Sequence, residues 1–416
     1  MHLFNVIAIL LTLAAVLNYV NYRYIKLPTT IGLMLISLML SLLVIAVGFF
    51  WPSSEIEAKA FLNNIDFNKT LLEGMLSFLL FAGALHVKLE ELKKQKWIIS
   101  ILATLGVLSS TFLVGTGTYY ILQLFGFQVS YIFCLLFGSL ISPTDPIAVL
   151  GILKEAKASK SLETKIVGES LFNDGVGVVI FLVILSLATG EQEISFLHIS
   201  SLLLFEAGGG IILGFILGYA TFYLLKSVDN YQVEILLTLA LTSGGYALAM
   251  YLHTSAPIAI VVAGLLVGNV GRAQAMSDNT KQSLDQFWEL IDEILNAVLF
   301  VLIGLEVLVL NFEFNYLILG LICIPLVLLS RFISIGIPVS FLRLFRSFSP
   351  GAVQVITWAG LRGGISIALA LALPHGPERD LFLTITYIVV IFSIIVQGLT
   401  VKKLVLSKMK QHQLPY

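Results

Sequence analysis

The sequence predicts an all-α integral membrane protein, and three observations lead there. Of 416 residues, 58% are hydrophobic and only 12% charged, against roughly 25% charged in an ordinary soluble chain. Apolar runs of about 17 residues or more recur from end to end, each able to cross about 30 Å of hydrocarbon at 1.5 Å per residue. Runs of that kind suit helices, which satisfy their own backbone hydrogen bonds in lipid.

Charged and turn-rich breaks separate thirteen expected spans, with boundaries good to a few residues. They lie at about 3–20, 28–50, 70–87, 97–123, 130–153, 164–188, 197–225, 231–252, 256–271, 287–310, 315–342, 350–373 and 381–401. The first stretch, "MHLFNVIAILLTLAAVLNYV", lacks a basic leader and runs straight into Arg23 and Lys26. It therefore reads as a retained helix rather than a cleaved signal. With the N-terminus outside, alternate loops should collect the basic residues. They hold 19 of the 24 lysines and arginines, from Arg23 and Lys26 through Lys88, Lys154, Lys157, Lys165, Lys226, Arg272 and Arg346 to Lys402 and Lys410. Lys59, Lys69 and Arg379 fall in the opposite set, and Arg331 and Arg362 fall within spans. The expected topology is N-terminus outside, C-terminus cytoplasmic, with no soluble regulatory domain after the last span. Cys134 and Cys323 lie inside apolar runs and read as small hydrophobes, not as a disulfide or metal site.

Ionised groups at bilayer depth cost about 2.5–3.5 kcal/mol each to insert and so mark candidate functional positions. Asp145, Glu169, Asp174, Arg331 and Arg362 stand at such depth. The plain alternative for any one of them is an ion pair that positions helices.

In "LISPTDPIAVLG", Pro143 and Pro146 flank Thr144 and Asp145. Prolines lack a backbone donor and clash with the preceding turn, so this fifth span should unwind at Thr144 and Asp145. Unwound backbone at membrane depth is tolerated where it lines a cavity, and there its carbonyls can coordinate a cation. In "GESLFNDGVGVV", Ser170 and Asp174 share one helix face, and Glu169 and Asn173 the neighbouring one. The first face offers hard oxygen donors for a small cation, and a carboxylate there can trade a proton for a metal ion near physiological pH. The second face can engage a basic partner. "VLLSRFISIGIP" sets Arg331 in a span between Pro325 and Pro338, and "ITWAGLRGGISIALALALP" sets Arg362 among Gly360, Gly363 and Gly364, where a second break is expected. Breaks in the fifth and twelfth spans are the pattern of a transporter built from inverted repeats with two discontinuous helices.

"SPTDPIAV", "GESLFNDG" and "GLRGGIS", in this order, resemble the monovalent cation:proton antiporter family that includes bacterial and animal sodium/proton exchangers. The resemblance spans nearly all thirteen segments. It implies a homodimer working by elevator-like alternating access. Core helices would cover about 70–188 and 287–401, and dimerisation helices about 3–50 and 197–271. Asp174 would bind cation or proton in turn, with Asp145, Ser170 and Thr144 as further ligands of the monovalent cation. Asn173, standing where electrogenic relatives have a second aspartate, implies electroneutral exchange. Glu169 would pair with Arg331, and Arg362 would stabilise the second break. The function so implied is exchange of Na+, with Li+ or K+ as alternatives, for H+ across the cell's inner membrane in pH homeostasis. It is transport rather than enzymatic catalysis, with no cofactor beyond the transported ions and no nucleic acid among the partners. One departure stands out: many relatives carry a glutamate in the third span where this chain has Ala82, and Glu73 lies nine residues earlier, near the outer end.

Other charged positions carry less. Glu206 precedes Gly208 to Gly210 and reads as a packing residue; Asp292, Glu293 and Glu306 in the tenth span are candidates for an entry funnel; His86 and His253 sit at span ends. A sodium-coupled symporter of an organic anion is the alternative reading, since it can share this architecture. It would need a basic residue free for the substrate, whereas Arg331 and Arg362 are both committed.

Overall fold

The computed structural model describes residues 3–63, 65–146, 149, 153, 160–190, 196–310, 313–344, 348 and 351–413. Lys154, Lys157 and Arg346, counted in the topology argument, and Ile147 and Ala148 of the first break lie outside the described residues, as does Lys410's side chain.

Every described element is helical apart from one isolated bridge. In order, the helices are α1 (Leu3–Val20), α2 (Thr29–Gly48), α3 (Pro52–Asn63), α4 (Leu76–Leu85, entered through a π-helical turn at Thr70–Met75), α5 (Leu89–Ile101) and α6 (Val107–Leu124). Then come α7 (Tyr131–Ile141), α8 (Lys160–Ala188), α9 (Phe196–Lys226), α10 (Tyr231–Tyr251) and α11 (Ala256–Leu266). The remainder are α12 (Asp278–Glu306), α13 (Phe314–Leu342), α14 (Ala352–Ala359), α15 (Gly364–Leu371), α16 (Pro377–Phe392) and α17 (Gly398–Gln413). Starts are fixed by ordinary caps: Asn230 Oδ1 accepts from the Gln232 and Val233 amides, and Ser255 Oγ from that of Ile258, with Pro257 in the first turn.

Among the described residues, nine helical stretches are long and apolar enough to cross a membrane. That number does not confirm thirteen. The expected third, fifth, tenth and twelfth spans are the ones that miss the criterion, for two physical reasons. The fifth ends as α7 after 11 residues and the twelfth divides into α14 and α15 of 8 residues each, while the third, helical from Phe67 to Leu85, carries Asn68, Lys69 and Glu73 in its first half. The tenth is a full-length helix, α12, whose first half carries Asp285, Glu289, Asp292 and Glu293. Helix α3, with Glu57 and Lys59, is not expected from the sequence; it packs against α2.

Packing sorts the helices into two groups. Helices α6, α7 and α8 pack together and join α13 through α16, with Phe137 of α7 stacked on Phe382 of α16 at 5.3 Å. Helices α9, α10 and α11 form a second group with α4, and α2 packs closely on α12. On α9, Gly210, Gly214 and Gly218 recur every fourth residue, and a Cβ at any of them would collide with α11 or its cap, at Ser255, Ala259 and Leu266 respectively. Small residues at this spacing let two membrane helices approach closely enough for dispersion to hold them. The last of the three glycines after Glu206, Gly210, therefore belongs to a packing seam, whereas Gly208 faces open space, and the Glu206 carbonyl accepts from the Ser255 amide at 3.0 Å.

Candidate functional site

The two breaks meet in the middle of the first group. After α7 ends at Ile141 the chain is extended through Pro143 to Pro146; after α14 ends at Ala359 it is extended through Gly360 to Gly363. These segments cross as an antiparallel bridge, with the Asp145 amide donating to the Leu361 carbonyl at 2.8 Å. The prolines explain the first break, since residues 143 and 146 supply no amide to a helical ladder. Glycine explains the closeness: a Cβ on Gly363 would run into the Asp145 side chain.

Breaking two helices at this depth leaves carbonyls and amides that need partners. Arg362, 2% exposed, lies across the first break and donates from Nη1 to the Pro143 carbonyl at 2.9 Å and to the Ser142 carbonyl. Its own amide donates to Ser393 Oγ at 2.9 Å, a partner that no motif in the sequence singles out. The guanidinium stands where α7 presents its negative end, so charge and hydrogen bonding act together.

Helix α8 presents its two expected faces to this crossing. On one, Glu169 is 1% exposed and Arg331 3%, and they form a two-pronged ion pair with both nitrogen to oxygen distances at 2.7 Å. Asn173 bridges from that pair to the break. Its Nδ2 donates to Glu169 Oε1 and to Thr144 Oγ1, each at 2.8 Å, and its Oδ1 accepts from the Thr144 amide at 3.3 Å. Asn173 is thus held by both charge and backbone, and it fixes Thr144 in turn. On the other face, Ser170 donates to the Thr144 carbonyl. Asp174 lies one turn further on, buried at 8% exposure, and among the described residues its carboxylate accepts no hydrogen bond. The charges of Asp145 and Glu169 both reach it.

The chemistry follows from this arrangement. Ser170 Oγ, the Thr144 carbonyl and the carboxylates of Asp174 and Asp145 are hard oxygen donors of the sort that bind small monovalent cations. Two carboxylates facing one another repel, and either a cation or a proton relieves that repulsion. The donors come from a main-chain break and a helix face, with the second break beside them, so a small relative movement of the helices changes the set.

Glu73, in the π-helical turn before α4, is exposed and acts electrostatically on Tyr246, whose hydroxyl donates to the Leu72 carbonyl. Ala82 is buried. His86 Nδ1 meets the Ala82 carbonyl at 2.9 Å and its Nε2 stands 3.6 Å from Asp285, which also pairs with Arg272. His253 sits in the left-handed region at φ 53°, closing the turn after α10. A small cavity beside the crossing is lined by Arg331, Thr357, Gly360, Arg362 and Gln397. Arg331 Nε and Thr357 Oγ1, both buried, have no protein partner among the described residues.

Known proteins resemble this chain along nearly its whole length. The family model described as "Sodium/hydrogen exchanger, transmembrane" matches residues 8–407. The chain is 51% identical over 406 residues to a protein named Na(+)/H(+) antiporter NhaP from Pseudomonas aeruginosa, covering 96% of both chains. It is 34% identical over 406 residues to one named Na(+)/H(+) antiporter NhaH from Halobacillus aidingensis, again covering 96% of both. Among solved structures it resembles the sodium proton antiporter MjNhaP1 from Methanocaldococcus jannaschii at pH 8, with a TM-score of 0.76 at 20% identity over 98% of this chain and 100% of that one, a likeness of fold.

Proposed function

The chain belongs to the sodium/hydrogen exchanger family, and from that premise we propose how it works. It is a secondary antiporter that exchanges a monovalent cation, Na+ first, for H+ across a membrane. Asp174 is the carboxylate that carries either the cation or the proton, one at a time. Ser170, the Thr144 carbonyl and Asp145 complete the cation's oxygen shell. Glu169, Arg331 and Asn173 hold Thr144 in place, and Arg362 neutralises the carbonyls freed by the first break. The observation that carries this reading is the convergence of the Thr144 carbonyl, Ser170 and a buried, unbonded Asp174 at the crossing of two broken helices.

Competition for one carboxylate couples the fluxes: a cation and a proton cannot both neutralise it, so each turnover carries one in and the other out. With Asn173 rather than a second aspartate beside Asp174, one proton is exchanged per cation and no net charge moves. The protein works as a homodimer through the helices of about 3–50 and 197–271, spans the bacterial inner membrane with its N-terminus outside, and acts by transport rather than catalysis. The organic-anion symporter has no support, because Arg331 and Arg362 are both engaged within the fold.

The test is a pH-gradient assay in proteoliposomes with Na+, Li+ and K+ in turn. Wild-type protein should dissipate the gradient with at least one cation, with no dependence on membrane potential. Asp174→Asn keeps the volume and removes the exchangeable charge, so it should abolish exchange of every cation while the protein still folds. Robust cation-dependent proton flux through Asp174→Asn would overturn the shared-site mechanism.

A further inference from the structure

Helix α12 is long enough to span a membrane yet carries acids along its first half, and their placement is ordered. Asp285, Glu289, Asp292 and Asn296 fall at i, i+4, i+7 and i+11, which at 3.6 residues per turn puts them within an arc of about 60°. Beyond Glu289 the stripe becomes drier. Asp285 is 35% exposed and paired with Arg272, Glu289 is exposed, Asp292 is half-buried and Asn296 is 4% exposed. One turn beyond Asn296, Leu299 packs directly on Gly364, the first residue of α15. The polar stripe therefore runs from one end of α12 to the second break.

Other positions around α12 are tied to α2 and α10. Ser41 donates to the Gly304 carbonyl at 2.8 Å, Trp288 Nε1 donates to Thr238 at 3.0 Å and Thr280 donates to Glu234. The charge of Asp145 reaches the Asp292 carboxylate. Asn296 Oδ1 is buried and without a partner among the described residues. A buried amide oxygen with no donor is unfavourable in a packed interior, and a cation would remove that penalty. Among the described residues no three His, Cys, Asp or Glu side chains converge closely enough to hold a metal ion. Asp292 is thus a stop apart from the Asp145 and Asp174 pair rather than part of it.

We propose that Asp292 and Asn296 form a waypoint for the transported cation, in which a carboxylate oxygen of Asp292 and Oδ1 of Asn296 hold a partly hydrated ion one step before Asp174. The proposal rests on the crossing being the transport site and on the topology that makes the start of α12 cytoplasmic. A single carboxylate with a neutral amide binds weakly, as suits a stop that the ion must leave. The ladder of Asp285 and Glu289 leading to it raises local cation concentration, and that effect falls with ionic strength. Although the sequence reading groups 287–310 with the core helices, α12 is fastened to α2 and α10, so the waypoint stays with those helices while the crossing belongs to the other group.

The experiment measures apparent KM for Na+ on each face of full-length protein reconstituted in a single orientation. Asp292→Asn should raise the KM from the cytoplasmic face by at least about threefold, leave the maximal rate within about twofold, and leave the other face unchanged. Asn296→Asp should lower KM from the same face and Asn296→Leu should raise it; these two carry the test if Asp292→Asn folds poorly. A wild-type KM on both faces, or an equal change on both, would overturn the waypoint. A one-sided change from the extracellular face would support the waypoint and overturn the topology. Loss of the underlying site reading would show separately, as exchange surviving in Asp174→Asn.

Discussion

Glu169→Ala removes one half of a buried ion pair, and the structure allows its consequences to be ranked. Glu169 accepts two hydrogen bonds from Arg331 at 2.7 Å and one from Asn173 at 2.8 Å, with both residues buried. Arg331 Nε already lacks a protein partner among the described residues, so nothing nearby takes over the stranded guanidinium. Leaving one charge of a buried pair uncompensated costs about 3–5 kcal/mol, and the lost Asn173 bond adds about 1 kcal/mol. At about 1.4 kcal/mol per tenfold, the folded fraction falls relative to unfolded by a factor of at least about 100. The same principle predicts a sign reversal in the double variant. Replacing both partners by apolar residues of similar volume is often neutral or stabilising, so Glu169→Leu with Arg331→Leu should be more stable than either single variant. It should still transport poorly, because Asn173 would lose the carboxylate that orients it toward Thr144. A charge swap, Glu169→Arg with Arg331→Glu, should recover part of the yield. The assay is size-exclusion chromatography of detergent-solubilised protein after graded heating, run beside the pH-gradient assay. A Glu169→Ala protein that is monodisperse, melts like the wild type and exchanges normally would refute the reasoning.

Other expectations follow from the same geometry. As pH falls through the pKa of the exchanging carboxylate, apparent cation affinity should weaken by up to about tenfold per unit, since each tenfold rise in protons ties up tenfold more of the site; a flat affinity across about pH 5 to 9 would contradict direct competition. Arg362→Met keeps bulk but abandons the Ser142 and Pro143 carbonyls, so it should cost about 2–5 kcal/mol in thermal stability assays and most of the transport rate. Gly363→Ala should impair exchange more than Gly336→Ala, because the new Cβ meets the Asp145 side chain in the first case and only an ordinary contact at 3.7 Å in the second. Single cysteines at Ser161 and nearby should be labelled only from the cytoplasmic side; labelling from outside would reverse the topology.

Several features are legible in the chain alone. Charge is so unfavourable in hydrocarbon that Asp145, Asp174, Glu169, Arg331 and Arg362 stand out one residue at a time. Proline and glycine act on their own backbone, so the breaks at Thr144 and at Arg362 can be placed to within a residue or two. Spacing along α8 separates the Ser170 and Asp174 face from the Glu169 and Asn173 face, because a helix has only one period. What distance in sequence conceals is the pairing. Arg331 lies 162 residues from Glu169 and Arg362 lies 219 from Pro143. Family resemblance alone points to the first partner, and it assigns Arg362 to the second break, whereas the guanidinium reaches across to the carbonyls of the first. The Asp145 to Leu361 bridge, the Ser393 hydroxyl beside Arg362 and the unpartnered Asn296 oxygen are invisible in the sequence, as is the helix α3. Each depends on how helices from distant parts of the chain settle against one another. The sequence by itself determined which residues are costly to bury and where the helices must break; the tertiary structure alone decided what relieves that cost, because compensation of a buried charge or a freed carbonyl is a property of neighbours in space.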